Sequence, residues 1–191
     1  VGGENGLIGQ KIYEIVDRME KRAKSVGEDM RGGQPTPGNI AGGLSSIEEK
    51  SLGAIVKSGH RPIQGVLEYC DRVDGQKGLW IKDAPGREPE ILTGMAATGA
   101  QFMMFSTGRG APQGFPSMPV IKICGNPHTY ERMQHDMDLN AGRIIQGEKT
   151  IEEVGEEAFR LMLDVLSGKM TKNEALGYYG SMDIFCLGPV I

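Results

Sequence analysis

Ser106-Thr107-Gly108-Arg109-Gly110 sets one guanidinium between two glycines, directly after the apolar run 101–106. Glycines let neighbouring backbone N–H groups turn toward one point, and a guanidinium grips a carboxylate through two parallel hydrogen bonds. The loop therefore reads as an anion site or as a surface turn with a solvated arginine. Lys122 interrupts the apolar run Val120-Ile121-Lys122-Ile123. A lysine there either reaches solvent or is buried beside an anion with a shifted pKa. Asn126 precedes Pro127, the pattern of an N-cap followed by proline at the first helical position. Caps at strand ends also lie beside ligands.

Carboxylates and imidazoles supply the remaining candidates. Asp83 closes the strand-like run Gly78–Asp83 before the turn Ala84-Pro85-Gly86. It is either a ligating carboxylate or a turn-starting one. Glu48 and Glu49 stand where the first turn of a helix favours acids. His128, His135, Asp136 and Asp138 share one segment, and His135 and Asp138 are three apart. Such groups can bind a divalent metal, but the spacing matches no zinc pattern and resembles the polar face of many helices. The sequence carries no nucleophile elbow, Walker loop or GxGxxG turn.

Strands and helices must hold these residues. Ile12, Ile15, Val16, Met19 and Ala23 predict an amphipathic helix over 10–30, ended by the Gly/Pro-rich loop 31–43. Overlapping capping boxes at Ser45/Glu48 and Ser46/Glu49 start a helix to about Ser58, with Ile47, Leu52, Ile55 and Val56 inward. Strands follow at 78–83, 101–106 and 119–124, and helices at 88–100, 127–139 and 151–167. The helix at 151–167 points Phe159, Leu161, Met162 and Val165 inward. The loop 111–118 is long enough to close over a ligand, though such loops often merely connect strands. A short helix starts at Thr171, and 183–191 is an apolar tail that docks as a strand. The alternation predicts an α/β fold, a mainly parallel sheet covered by helices in a single domain. Residues 1–44 form an N-terminal helix and loop, and 45–191 the α/β catalytic-type part.

The 191 residues are 39% hydrophobic with a net charge of −4, enough for a real core and without a basic tract for nucleic acid. No apolar run approaches the roughly 20 residues of a membrane span, and no secretory leader is evident. Three widely spaced cysteines, Cys70, Cys124 and Cys186, fit a reducing cytoplasm better than a disulfide framework. A start at Val1-Gly2-Gly3 without methionine reads as a piece of a longer protein.

The blocks GNIAGGLSSIEEKSLGAIVKSG (38–59), KGLWIKDAPG (77–86) and FSTGRGAPQGFPSMPVIKICGN (105–126) stand in this order. Tyr130, Met133 and DMDLNAGRIIQG (136–147) complete the set. Together they resemble the C-terminal catalytic region of the altronate/galactarate dehydratase family over about residues 10–191. The resemblance implies a hydro-lyase acting on a hexonate or hexarate small-molecule sugar acid to give a 2-keto-3-deoxy acid, with Fe²⁺ or Mn²⁺. Arg109 would clamp the substrate carboxylate with Thr107, Gly108, Gly110 and Asn126. Lys122 would be the base or a second clamp, and Asp83, Glu48 or Asp138 metal ligands. It implies as partners an N-terminal half or small subunit and further copies in a homo-oligomer. The large subunit of a sulfolactate sulfo-lyase is also similar, and the tail 181–191 lacks the basic Lys-Arg-Gly ending associated with many altronate dehydratases. A non-catalytic carboxylate-binding or assembly module is the third reading.

Overall fold

Thr36, Ser46 and Thr150 each accept a hydrogen bond from a backbone N–H three residues on, so local capping chemistry sets where three of the helices begin. The computed structural model describes residues 6–186. Two compact units result, one on residues up to Asp83 and the other on Ala84–Phe185.

The first unit opens with α1 (Gly6–Ser25), then α2 (Pro37–Ala41) and α3 (Ile47–Lys57), and closes with β1 (Ile63–Leu67) and β2 (Leu79–Lys82). α1 stops five residues earlier than its polar pattern predicts, because Gly27 turns the chain with φ +80°. α2 lies inside the predicted loop, held by Thr36 and Asn39 capping each other. The predicted inward faces are only partly realised. Ile12, Ile15 and Ala23 are half-buried, whereas Val16 and Met19 are exposed. On α3, Ile47, Leu52, Ile55 and Val56 are all exposed. β1 pairs parallel with β2, and Trp80 lies so close over Gly65 that a Cβ there would collide with its ring. Glycine is required at that position.

The second unit contains α4 (Glu88–Thr98), β3 (Met103–Thr107), β4 (Val120–Cys124), α5 (Pro127–Arg132), β5 (Leu139–Asn140), α6 (Ile151–Leu166) and α7 (Lys172–Leu176). Its sheet has the order β3-β4-β5 and both pairings are parallel, so the α/β class with parallel strands is what the chain forms. Leu92, Phe115, Met118 and Val120 make the core, flanked by Met95, Ala96, Ala100, Met103 and Phe105. β4 is the buried central strand, while β3, an edge of this sheet, alternates between half-buried and exposed. The loop 111–118 is no lid: Ala111, Phe115 and Met118 are core residues. On α6, Val154 and Val165 are buried and Leu161 and Met162 half-buried, but Phe159 is exposed.

One predicted helix is corrected. The segment 127–139 is helical only to Arg132, after which Met137 enters the core and Asp138 donates its N–H to the Lys122 carbonyl at 2.9 Å. That bond leads the chain into β5, which periodicity did not reveal. A tight 3-10 turn, Ala141–Ile144, follows against α5. A Cβ on Gly142 would lie 2.5 Å from the Pro127 nitrogen and 2.9 Å from its Cα, both backbone atoms. Gly142→Ala is therefore expected to cost about 1–3 kcal/mol by overpacking, read as a lower urea midpoint at unchanged slope. The tail residues 181–186 carry no strand, and 187–191 lie outside the described residues. Among the described residues no helix is long and apolar enough to cross a membrane.

Candidate functional site

Because β3, β4 and β5 run the same way, their last residues form one row: Thr107 is in register with Cys124, and Cys124 with Asn140. The segments Gly108-Arg109-Gly110, Gly125-Asn126 and Ala141-Gly142 therefore leave the sheet along a single edge. In open α/β sheets that carboxyl edge is where ligands bind. The sequence points to Gly108-Arg109-Gly110 and to Asn126. It carries no such signal at Ala141-Gly142, since a two-residue strand gives too little pattern to detect.

The edge is held rigidly. Gly125 donates its N–H to the Thr107 carbonyl at 2.8 Å, and the Thr129 hydroxyl donates to the Gly108 carbonyl at 3.1 Å. Gly110 has φ +80° and is packed so closely on Met133 that a Cβ would strike its sulfur. Asn126 caps α5, its Oδ1 accepting from the Thr129 N–H at 3.2 Å, and Asn140 Oδ1 accepts from the Gly142 N–H at 2.9 Å. Beyond the loop, Gln113 donates to the carbonyls of Tyr179 and Ser181, each at 3.1 Å, and Asn173 donates to the Pro112 carbonyl. Within this fixed frame Arg109 is exposed, with no hydrogen-bond or ion-pair partner among the described residues. A charged donor fork is thus presented at the strand ends with its capacity unused.

Lys122 is not at that edge. Its ammonium is fully buried, 2.7 Å from Asp138 Oδ2, and donates to the Val120 carbonyl at 3.0 Å, so it folds back along β4 away from the strand ends. Burial lowers its pKa and Asp138 opposes that shift. Asp138 is equally committed, for it also accepts the Lys122 N–H at 2.7 Å and the Lys172 N–H at 2.8 Å. The pair locks β4, the start of β5 and the start of α7 together. Of the two alternatives for Lys122, the buried one beside an anion is the one realised, and the contacts of Lys122 and Asp138 give both a structural role. A spacing of sixteen residues hid the pairing from the sequence.

The other proposed metal ligands are occupied as well. In the first unit, Asp83 lies 2.7 Å from Arg18, whose guanidinium also grips Glu68 through bonds of 3.0 and 2.8 Å. Both acids close parallel strands, and their hydrogen bonds hold the Arg18 pKa above its ordinary value. Glu48 is exposed in the first turn of α3, its carboxyl held below the usual range by a backbone N–H and by Ser46. His128 is exposed, its Nδ1 3.8 Å from Glu131. Among the described residues no three His, Cys, Asp or Glu side chains gather as a metal site, so the carboxylates assigned to Fe²⁺ or Mn²⁺ do not fit one.

A sequence model for the C-terminal region of the D-galactarate/altronate dehydratases matches residues 4–189. The chain is 37% identical over 170 residues to the (2R)-sulfolactate sulfo-lyase subunit beta of Chromohalobacter salexigens, covering 88% of this chain and 43% of that protein. It is 36% identical over 187 residues to the galactarate dehydratase (L-threo-forming) of Escherichia coli, covering 97% and 35% respectively. With the altronate dehydratase of Bacillus subtilis it shares 39% over 140 residues, covering 73% and 28%. The chain thus spans less than half the length of each of these relatives.

Proposed function

The chain belongs to the D-galactarate/altronate dehydratase family, and we propose that it forms the carboxylate-binding edge of a hydro-lyase acting on a hexonate or hexarate. One observation carries the reading: Arg109 stands unpartnered among the described residues at a row of strand ends held by backbone and side-chain hydrogen bonds. Removing a proton α to a carboxylate pushes negative charge onto that carboxylate, so donors aimed at it lower the barrier. Arg109 supplies the bidentate fork. The backbone around Gly108 and Gly110 and the side-chain amide of Asn126 supply neutral donors, and Thr107 ends β3 beside them.

Neither the base nor the group that assists the leaving hydroxide is assigned to this chain. Lys122 and Asp138 neutralise each other in the core, and Asp83 is held by Arg18. Those functions, and the ligands of any Fe²⁺ or Mn²⁺, fall to the part of the enzyme outside these residues. A second reading keeps the same edge and changes the leaving group from hydroxide to sulfite. It is favoured by the identity to the sulfo-lyase subunit, 37%, which lies within the 36–39% shared with the dehydratases.

The complete enzyme, supplied with Fe²⁺ or Mn²⁺ and with altronate, galactarate or sulfolactate, decides between them. Keto acid without sulfite from a hexonate or hexarate is the expected result. Sulfite from sulfolactate selects the second reading. Binding of sugar acids without turnover of any of them would reduce the chain's role to a non-catalytic carboxylate-binding module.

A further inference from the structure

The first unit buries little apolar surface among the described residues. Its buried apolar side chains are Ile63 and Leu67, and neither α1 nor α3 contains a buried residue. A helix draws its stability in water mostly from packing an apolar face. α3 has such a face, since Leu52, Ile55 and Val56 repeat at spacings of three and four, yet they are 61%, 49% and 77% exposed. Its side-chain bonds to the preceding segment are polar: Lys50, at the opposite side of the helix, donates to Gln34 and Asn39, and Glu49 accepts from Ser45. The sheet tells the same story. β1 and β2 are a lone parallel pair among the described residues, and parallel strands are ordinarily buried within larger sheets.

We propose that the Leu52-Ile55-Val56 face of α3 is a docking surface for the part of the enzyme that the relatives carry beyond the matched region. That occupant fits on two counts. More than half of each relative compared lies outside the match, ample polypeptide to cover a helix and extend a sheet. A second copy bound through α3 would bury the helix but leave the β1–β2 pair without further parallel strands, so it meets one of the two needs. The proposal rests on the reading that this chain is one part of a larger enzyme, and its test does not use turnover.

The experiment uses the complete enzyme in two single-cysteine forms, Val56→Cys on the apolar face and Lys57→Cys beside it on the polar side. Maleimide labelling is followed by mass spectrometry on the peptide that carries residue 56 or 57. Labelling at least tenfold slower at residue 56 than at residue 57 is expected. A photo-crosslinker placed at residue 56 should then join a peptide from outside residues 1–191. Equal labelling rates would overturn the proposal, as would crosslinks confined to residues 1–191 of another copy. If Val56→Cys prevents folding, hydrogen exchange on the wild-type enzyme serves instead: free exchange of the α3 amides overturns the docking and strong protection supports it. Turnover of the same wild-type preparation tests the dehydratase reading separately, so either idea can fail without the other.

Discussion

Asp138→Ala is expected to destabilise the second unit by about 3–5 kcal/mol, the usual cost of stranding one member of a buried ion pair. Three donors converge on this carboxylate: the Lys122 ammonium and the backbone N–H groups of Lys122 and Lys172. Removing it leaves a buried cation and two buried N–H groups without an acceptor at that position. Lys122→Met removes only the cation, and Asp138 keeps both backbone donors. It should therefore cost less, about 1–3 kcal/mol. The order of the two losses, read from urea midpoints, is the decisive measurement. Equal losses would mean that the ion pair alone matters.

The pair also sets a pH dependence. Burial lowers the Lys122 pKa below its ordinary value, so the folded protein releases this proton at lower pH than the unfolded chain does. Between the two values the unfolded state holds more protons, and stability rises with pH. Relative to Lys122→Met, the wild type should therefore gain stability through the alkaline window below the ordinary lysine pKa. A wild type that loses ground there would place the shift in the opposite direction.

The elements that sequence located well are those with local causes. Thr150 with Glu153 and Thr171 with Glu174, three residues apart, and Asn126 directly before Pro127 mark helix starts locally, and all three helices begin where the pattern predicts. What escaped depends on distant partners. β5 exists because Asp138 pairs with Lys122, and the loop 111–118 is held in the core by Asn173, which donates to the Pro112 carbonyl, and by Gln113, which donates to the Tyr179 carbonyl. Binary pattern also identified the apolar stripes of α1 and α3 correctly as stripes. It could not say what covers them, since an inward face needs an inside and the first unit supplies little of one.

The site was legible to the same degree. Gly108-Arg109-Gly110 and Asn126 reach the carboxyl edge because the strands ahead of them are short apolar runs that end in loops. Lys122 left two alternatives open in the sequence, solvent or burial beside an anion, and the structure buries it on Asp138. The position of Asp138 decides between them, and that is a tertiary fact.

Arg109→Gln in the complete enzyme should lower kcat/KM at least 100-fold, and the size of the loss discriminates between two roles. An exposed arginine meeting a carboxylate in water contributes about 0–1 kcal/mol, less than a tenfold effect. A donor aimed at charge that develops in the transition state contributes about 2.7–4 kcal/mol, or roughly 100- to 1,000-fold. The carboxylate gains charge as the α-proton leaves, so the loss should fall mainly on kcat; a rise in KM alone would mark uniform substrate binding. Arg109→Lys keeps the charge and loses the two-pronged geometry, so it should recover only part of the activity. Both variants should melt as the wild type does, within about 0.5 kcal/mol, because Arg109 holds no partner among the described residues. A loss below tenfold at unchanged stability would return Gly108-Arg109-Gly110 to a solvated surface turn and leave the carboxyl edge without its clamp.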